Sequence, residues 1–417
     1  MKTYNRKMNN RTKLSKPAPE QLTILAALGD LSVDEFMSVY WHRKPVLIRQ
    51  AFKNFQSPVS PDEVLDLAFT DDAQARLIRK TVKLGRDQWR LDRAPLEFIP
   101  SLKTKNWTVL LQGADTEWDS VAALLRQFRF VSDARLDDLM ISVASDGGGV
   151  GPHIDSYDVF LLQAHGKRHW RWGKPPRGQQ TLLPDQPLKI LSQFTAKHEA
   201  TLDVGDMLYL PPGYAHDGVA KGACMTFSIG FRSATRQELT SDFLGRIAGD
   251  ALQSKIGAER LLDDSRQATQ NPAKVPADLR SGYSDWLKAW RPTQRQIDQF
   301  LGEHLSEPRS NVVFDSQAST GKFKSLTVDS FKKLASKNGL HLHRSSRALF
   351  DTQSVFINGE SFKSRSKLIH LLFNQRSLSA ADIAIHANLQ SANNRLICAD
   401  WDLLLAWTSN GWLNLRP

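Results

Sequence analysis

A histidine and an aspartate stand two positions apart in the stretch GPHIDSYDVFLLQAHGKRHWRWG, which covers residues 151–173. On a β-strand, His153 and Asp155 would project from one side while Ile154 points to the other. A second histidine, His216, follows a strand-like run and a Pro-Pro-Gly turn in GDMLYLPPGYAHDG. A hairpin excursion between the two segments would return His216 to the same end of the sheet. The pattern predicts a metal site made of two imidazoles and one carboxylate.

This ligand set is typical of non-haem Fe(II) oxygenases, in which the remaining coordination positions stay open for a cosubstrate and oxygen. Zinc hydrolases use the same three ligand types, and manganese or nickel cupins also fit. A plainer interpretation is that the three residues are polar side chains at strand ends. The residues alone therefore favour a metal centre that also acts as the catalytic centre, with the metal left open.

The block KRHWRWG adds a second constraint on the site. Strand alternation places Arg168, Trp170 and Trp172 on one face, and two tryptophans favour the core over water. A buried arginine is costly unless a carboxylate meets it, and no acid nearby in the sequence is an obvious partner. A bound dicarboxylate such as 2-oxoglutarate would fit. The alternatives are that Arg168 pairs with a distant protein acid or lies on the outer face.

The segment DGGGVGP, residues 146–152, precedes the first histidine. Its glycines allow positive φ and a close approach of the backbone to the site. No helix start or lysine follows, so the segment does not resemble a phosphate-binding loop. Asp146 at its edge is expected either to meet a cationic substrate side chain or to cap a turn.

The order of predicted elements indicates an α+β protein. Short strand-like runs, with DVFLLQA and KRHWRWG among them as separate strands, fill residues 139–232 between Gly, Pro and Asp turns, a pattern typical of a sandwich or barrel. From about residue 236 the period becomes helical, and the last hundred residues mix short helices and strands. An Asn-Gly pair at 358–359 predicts a hairpin, and Gly339 predicts a helix end. No dinucleotide-binding glycine pattern follows a strand.

Composition and charge exclude several classes of protein. The chain has 417 residues, of which 41% are hydrophobic, as in globular proteins, and no apolar run is long enough to span a membrane. Two distant cysteines, Cys224 and Cys398, form no disulfide framework and are expected to be buried in a cytoplasmic protein. Residues 1–16 hold six basic side chains and residues 306–417 hold 14 basic and 8 acidic ones, so the rest carries 11 − 6 − 6 = −1. Basic ends favour a ribonucleoprotein setting, although simple solubility explains them equally well.

Three stretches together resemble one known family. LSVDEFMSVYWHRKPVLIRQAF, GGGVGPHIDSYDVFLLQ and GDMLYLPPGYAHDG are similar to the JmjC-type ribosomal oxygenases of the cupin-like superfamily, and most of all to the bacterial ribosomal protein arginine hydroxylases. The resemblance implies a double-stranded β-helix (jelly-roll) core, a helical dimerisation domain and a C-terminal winged-helix-like domain. The expected boundaries are a basic flexible tail over 1–20, a catalytic domain over 21–235, a dimerisation domain over 236–305 and a winged-helix-like domain over 306–417.

The same resemblance implies a chemistry that uses Fe(II), 2-oxoglutarate and O2. By position, His153, Asp155 and His216 match the iron ligands, and Arg168 matches the residue that holds the far carboxylate of the cosubstrate. Ser142, on the strand entering the glycine-rich loop, is a candidate contact to cosubstrate or substrate.

The resemblance also implies a ribosomal protein as substrate, and its bacterial members imply an arginine side chain of a large-subunit protein. Asp146 would suit a guanidinium, which also favours arginine. A homodimer close to ribosomal RNA and away from membranes is expected. Three alternatives stay open, namely histidyl hydroxylation, demethylation of lysine or arginine at the same iron centre, and a non-catalytic metal cupin that binds DNA. The last lacks an evident recognition helix.

Overall fold

The computed structural model describes residues 24–83, 86–175, 178, 180–232, 234–253, 273–275, 277–289, 291–315, 326–389 and 394–416. The basic tail predicted over residues 1–20 lies outside this part of the chain. The chain forms two compact units. The first unit comprises Met1–Ser233, Pro308–Arg347 and Ser366–Pro417, and the second comprises Ala234–Glu307 and Ala348–Arg365.

The elements of the N-terminal half alternate short helices with strands before a run of long strands. In chain order they are β1 Ala27–Leu28, β2 Leu31–Ser32, α1 Val33–Val39, β3 Val46–Ile48, α2 Pro61–Leu67, β4 Ala75–Lys83, β5 Arg86–Arg93, β6 Trp107–Leu111, a 3-10 turn at Ala114–Thr116, α3 Asp119–Arg126, β7 Leu136–Ala144, β8 His153–Ile154, β9 Val159–Gly173, β10 His198–Leu202, β11 Met207–Leu210 and β12 Ala215–Phe231.

The C-terminal half is mainly helical. In chain order its elements are α4 Arg236–Gln253, α5 Ala277–Ala289, α6 Gln294–Ser306, α7 Val328–Asn338, β13 Leu340–Leu342, β14 Ala348–Phe350, β15 Ser354–Ile357, β16 Glu360–Lys363, α8 Lys367–Gln375, β17 Ser377–Leu378, α9 Ala380–Leu389, α10 Asn394–Ser409 and β18 Leu413–Leu415. Helices α4 to α6 and the β14–β15–β16 sheet belong to the second unit. None of the helices in the described ranges is long and apolar enough to cross a membrane.

Local sequence signals explain several of these boundaries. Ser32 caps α1 by accepting a hydrogen bond from the backbone of Glu35, and Pro61 opens α2 behind a capping box at Ser60. The predicted helix end at Gly339 and the predicted hairpin turn after β15 are both confirmed. At that turn Asn358 has φ 50° and Gly359 has φ 85°, the conformation that an Asn-Gly hairpin requires.

One large antiparallel sheet forms the main part of the first unit. Its strand order is β3-β11-β9-β12-β7-β6-β4-β5, with β10 paired to β9 and β8 paired to β12. The longest strands, β9 and β12, run antiparallel beside each other, with register shifts between Lys221 and Thr226. Phenylalanine-rich packing fills the core beneath, where the rings of Phe36 and Tyr209 meet edge to face with centroids 4.8 Å apart.

The strand prediction was wrong in one respect. The runs DVFLLQA and KRHWRWG were expected to be separate strands, but β9 continues through both. Gly166 lies between them with φ +62°, and a Cβ there would meet the Ala223 carbonyl oxygen at 2.2 Å. The glycine therefore bends one long strand where a turn was expected, so that Arg168 and the apolar run before it belong to the same strand.

A buried carboxyl on β7 makes the stability of the fold sensitive to pH. Asp138 accepts hydrogen bonds from Gln112 Nε2 at 2.8 Å and from the backbone N–H of Gly113 at 3.2 Å. Burial, followed by the charges of Asp137 and Asp115, raises the pKa of Asp138 from 3.8 to about 6. The folded state therefore holds this proton more tightly than the unfolded chain does.

We expect Asp138 to lower stability as the pH rises. Its contribution is fully present below about pH 4 and is lost as the pH passes through about 6, a change of about 3 kcal/mol for two pKa units. Asp138→Asn should remove this part of the pH dependence. Urea denaturation of both proteins between roughly pH 4 and 7 measures it. A variant whose free energy of unfolding follows the wild-type pH profile would contradict the assignment.

Candidate metal and cosubstrate site

The structure brings the two histidines and the aspartate of the predicted site together. Strand β8 pairs with the start of β12 so that His153 lies opposite His216, and their ring centroids are 4.2 Å apart. His216 Nε2 lies 3.6 Å from Asp155 Oδ2. One ligand atom from each of the three residues falls within 4.8 Å of the others. Three donors at this separation are close enough to share one divalent ion.

Backbone carbonyls fix the orientation of both imidazoles. His153 Nδ1 lies 2.9 Å from the Gly151 carbonyl oxygen, and His216 Nδ1 lies 3.1 Å from that of Tyr214. Because a carbonyl oxygen can only accept, each Nδ1 carries a hydrogen and donates it. With the hydrogen on Nδ1, the neutral form of each ring has an unprotonated Nε2, the form in which histidine binds metals.

The electrostatics of the cluster favour a cation at its centre. Burial, reinforced by the nearby His153, holds the pKa of His216 well below its ordinary value, so that ring stays neutral. Burial raises the pKa of Asp155, against the opposing influence of His153 and a hydrogen bond from Tyr157. A divalent metal ion beside Asp155 and His216 would favour the ionised carboxylate and the neutral imidazole, the forms that bind metal.

Arg168 is buried with two of its nitrogens unpaired. On β9 the buried side chains of Arg168, Trp170 and Trp172 alternate with more exposed neighbours, as strand alternation predicts. The Arg168 side chain is only 5% exposed, and its guanidinium lies 5.8 Å from the ring centroid of Trp170. Its Nε and Nη2 have no hydrogen-bond partner within the described ranges. A buried cation in this state fits a bound carboxylate.

The strand register connects this arginine to the metal cluster. Arg168 pairs with Ala220 of β12, four residues after His216, and the residue opposite His216 on β9 is Trp172. Trp170 stands between Arg168 and Trp172 on β9, and the centroid of its ring lies 5.9 Å from that of His216. Two neighbouring strands therefore carry both the unpaired cation and one of the candidate ligands.

The two remaining candidates are held by protein contacts. Ser142 is buried on β7, and its hydroxyl donates to the Thr226 carbonyl oxygen at 3.4 Å. Asp146 Oδ1 accepts from the Gly222 backbone N–H at 2.9 Å, and Oδ2 lies 2.9 Å from Lys105 Nζ. These two contacts lower the pKa of Asp146. The role of Ser142 as a cosubstrate or substrate contact and that of Asp146 as a substrate contact stay predictions. The contacts of Asp146 match the alternative interpretation, in which it caps a turn.

Tyr157 is a site residue that the sequence analysis missed. Its side chain hydrogen-bonds to Asp155, and burial, followed by the charge of Asp155, raises its pKa. The sequence spacing indicated this residue, because Tyr157 stands two positions after Asp155, just as Asp155 stands two positions after His153. The tyrosine helps fix the carboxylate that faces the two histidines.

The glycine-rich loop packs directly onto β12. The Gly147 N–H donates to Ala220, and the Ala220 N–H donates to Gly148, with N···O distances of 3.0 and 2.9 Å. A Cβ on Gly149 would lie 2.5 Å from the Gly218 carbonyl oxygen. This loop and the strand β12, which begins at Ala215, are thus held in contact, and no side chain fits between them at Gly149.

Gly149→Ala is expected to destabilise the protein by about 1–3 kcal/mol, because the added methyl group meets backbone that cannot move aside cheaply. Thermal denaturation measures the loss. The matched control is Gly245→Ala on α4, where a Cβ meets nothing within 4 Å. In a helix that change should stabilise by up to about 1 kcal/mol. Equal melting temperatures for Gly149→Ala and wild type would contradict the close packing.

Comparisons with known proteins identify the family. Residues 123–239 match the model of the JmjC domain, and residues 287–414 match that of the ROXA-like winged helix. The chain is 34% identical over 282 residues to the "Ribosomal protein uL16 3-hydroxylase" of Escherichia coli, covering 68% of this chain and 73% of that protein. The chain belongs to the JmjC-type ribosomal oxygenases. A "Probable ribosomal oxygenase" of Haemophilus influenzae is also 34% identical, over 47% of this chain and 48% of that protein.

The structural comparison agrees with this membership. YcfD, a ribosomal oxygenase from Escherichia coli solved in complex with cobalt and 2-oxoglutarate, matches with a TM-score of 0.75 and 28% identity over 94% of this chain and 100% of that one. The predicted α+β class, with a jelly-roll core and a C-terminal winged-helix domain, is therefore confirmed. As a ribosomal oxygenase the protein is an enzyme of the dioxygenase class, which confirms that prediction too.

Proposed function

We propose that this ribosomal oxygenase is an Fe(II)- and 2-oxoglutarate-dependent protein hydroxylase, with iron held by His153, Asp155 and His216 and with the far carboxylate of 2-oxoglutarate held by Arg168. The observation that carries the proposal is the buried Arg168 guanidinium, whose Nε and Nη2 lack a partner in the described part of the protein. The relative of known structure was solved with cobalt and 2-oxoglutarate, a dicarboxylate. A guanidinium fork matches that chemistry.

The residues have distinct tasks in the proposed reaction. His153, Asp155 and His216 would hold the iron, which would supply O2 activation; one oxygen atom of O2 would enter a substrate C–H bond to give an alcohol, and the other would enter succinate as 2-oxoglutarate loses CO2. His153 and His216 present unprotonated Nε2 atoms because their Nδ1 atoms donate to carbonyl groups. Tyr157 orients Asp155, and the tryptophans beside Arg168 exclude water from its guanidinium.

The substrate we propose is an arginine side chain of a large-subunit ribosomal protein. The support is the Escherichia coli relative, which is named as a hydroxylase of the ribosomal protein uL16. Asp146, whose side chain is partly exposed at the edge of the glycine-rich loop, pairs with the Lys105 ammonium, and in our proposal a substrate guanidinium takes the place of that exposed lysine. We also propose that the protein acts in the cytoplasm as a homodimer through residues 236–305, with the catalytic domain over 21–235 and a winged-helix domain over 306–417.

The test is incubation of the purified protein with Fe(II), 2-oxoglutarate and peptides from large-subunit ribosomal proteins, followed by fragment mass spectrometry. We expect a gain of one oxygen atom on an arginine, with one succinate formed for each product. Addition of oxygen to a histidine would keep the hydroxylase and overturn the arginine assignment. Formaldehyde release from methylated peptides without a hydroxylated product would favour a demethylase. Iron binding without cosubstrate turnover would overturn the enzyme.

A further inference from the structure

The hairpin formed by β4 and β5 is strongly basic. Its two strands, ARLIRKTVK and RDQWRLDR, hold seven Arg or Lys residues and two Asp residues, a net charge of 7 − 2 = +5. In the sequence, the positive charge is concentrated at the two ends of the chain, and residues 17–305 sum to a nearly neutral charge. The fold instead gathers a local excess of cations on one edge of the sheet, since β5 is the last strand in the order.

The strand register brings cations opposite cations. Three cross-strand pairs have a basic residue on both sides, namely Arg76 with Arg93, Arg79 with Arg90, and Lys83 with Arg86. Like charges directly opposite each other destabilise a hairpin. Asp92 relieves one pair by contacting both Arg79 and Arg90. Asp87 likewise pairs with Lys80. The two acids still leave a net charge of +5 on the hairpin, which is better suited to a polyanionic partner than to free solvent.

The basic hairpin borders the candidate site. The Trp89 ring is next to Gly151, where a Cβ would lie 3.0 Å from it, and Gly151 accepts the hydrogen bond of His153. Lys80 donates its backbone N–H to Asn106, whose own N–H donates to the Asp146 carbonyl oxygen. A molecule bound along the hairpin would therefore lie beside the loop that leads to the metal ligands.

The protein and its proposed substrate both carry a positive net charge. The chain carries a formal net charge of +11, and ribosomal proteins bind RNA through their own basic side chains. Two strongly basic proteins repel each other over a Debye length. An RNA strand in contact with both would remove that repulsion and hold the substrate near the site.

We propose that the β4–β5 hairpin binds the phosphate backbone of RNA, so that a ribosomal protein is presented to the oxygenase site together with RNA. The proposal rests on the proposed function for the identity of the substrate, but not for RNA binding itself. Arg90 and Arg93 are the test positions, because both are exposed on the edge strand and the Arg90 side chain is 71% exposed.

Fluorescence anisotropy of the full chain with a labelled ribosomal RNA fragment tests the proposal. The measurement contains no iron or 2-oxoglutarate, so its outcome does not depend on hydroxylation. At each salt concentration between about 50 and 200 mM, we expect the double variant Arg90→Gln/Arg93→Gln to bind RNA roughly tenfold or more weakly than the wild-type protein does. The slope of log K against log salt should become shallower by about 1.4, which corresponds to two lost phosphate contacts on a single strand.

The matched control removes the same charge elsewhere. Lys333→Gln/Lys337→Gln acts on two exposed lysines of α7 and should change the RNA affinity by less than about twofold. Melting temperatures of both variants establish that they are folded. An unchanged affinity and slope in the hairpin variant, or an equal loss in the α7 variant, would overturn the proposal. So would hairpin-dependent binding to vesicles of anionic phospholipid with no binding to RNA.

Discussion

Replacing Asp155 by alanine is expected to abolish metal binding and catalysis together. Its carboxylate is the only negative ligand beside the two imidazoles of the candidate cluster in the described chain. Loss of a ligand worth several kcal/mol reduces turnover on the order of 1000-fold, since each 1.36 kcal/mol is a factor of ten. Calorimetric titration with Fe(II) or Co(II) and the peptide hydroxylation assay measure the two effects.

The control for this experiment is Asp203→Ala. Asp203 is an exposed aspartate that pairs with Lys167 on the surface, so its removal should alter stability by less than about 1 kcal/mol and leave metal affinity alone. If Asp155→Ala keeps wild-type metal affinity, the three-ligand assignment is wrong. A variant that binds metal normally but no longer turns over would give Asp155 a different role in catalysis.

Replacing Arg168 by alanine is expected to raise the 2-oxoglutarate concentration needed for half-maximal activity about 100-fold, with metal affinity little changed. Removing one partner of a buried, hydrogen-bonded charge pair costs about 3 kcal/mol, which corresponds to that factor. Steady-state kinetics with varied 2-oxoglutarate measure the change. Lys167→Ala, on the opposite face of the same strand and 60% exposed, is the matched control.

Stability measurements separate cosubstrate binding from a structural role of Arg168. Wild-type protein at 100 times the dissociation constant of 2-oxoglutarate should gain about 2.7 kcal/mol, and Arg168→Ala should lose that gain at the same concentration. Without cosubstrate the variant should be as stable as wild type or more stable, because it no longer buries a cation with unpaired nitrogens. A large loss of stability without cosubstrate would show that Arg168 is part of the structural core.

The arrangement of the site could be predicted because it depends on local periodicity. Strand alternation predicted that His153 lies with Asp155 and Arg168 with Trp170, and both pairs are found together, although Asp155 follows the end of β8 at Ile154. Alternation could not show that Arg168 lacks a partner, since that depends on every acid brought near it by the fold. The continuity of β9 through Gly166 was missed for a similar reason, because a glycine can bend a strand as well as end it.

The features that escaped prediction depend on long-range pairing. The cation pairs of the β4–β5 hairpin become visible only with the register, which composition does not reveal. The raised pKa of Asp138 comes from burial and from Asp137 and Asp115, one of which is 23 residues away in sequence. Composition predicted a neutral catalytic region because opposite charges cancel in a sum even when they are separated in space.

The pairing of β9 with β12 has a consequence for how this protein tolerates changes in length. A single-residue insertion or deletion inside either strand would turn Arg168 toward solvent or carry His216 away from His153. The connection between Gly173 and His198 lies outside this pairing, but it is not independent of the site. Its Leu191 N–H donates to the Pro152 carbonyl oxygen at 2.8 Å, and its Ile190 lies against Gly151. Changes of length around Ile190 should therefore also disturb the segment that carries His153, so the tolerance of this sheet to insertions is low on both sides of the candidate ligands.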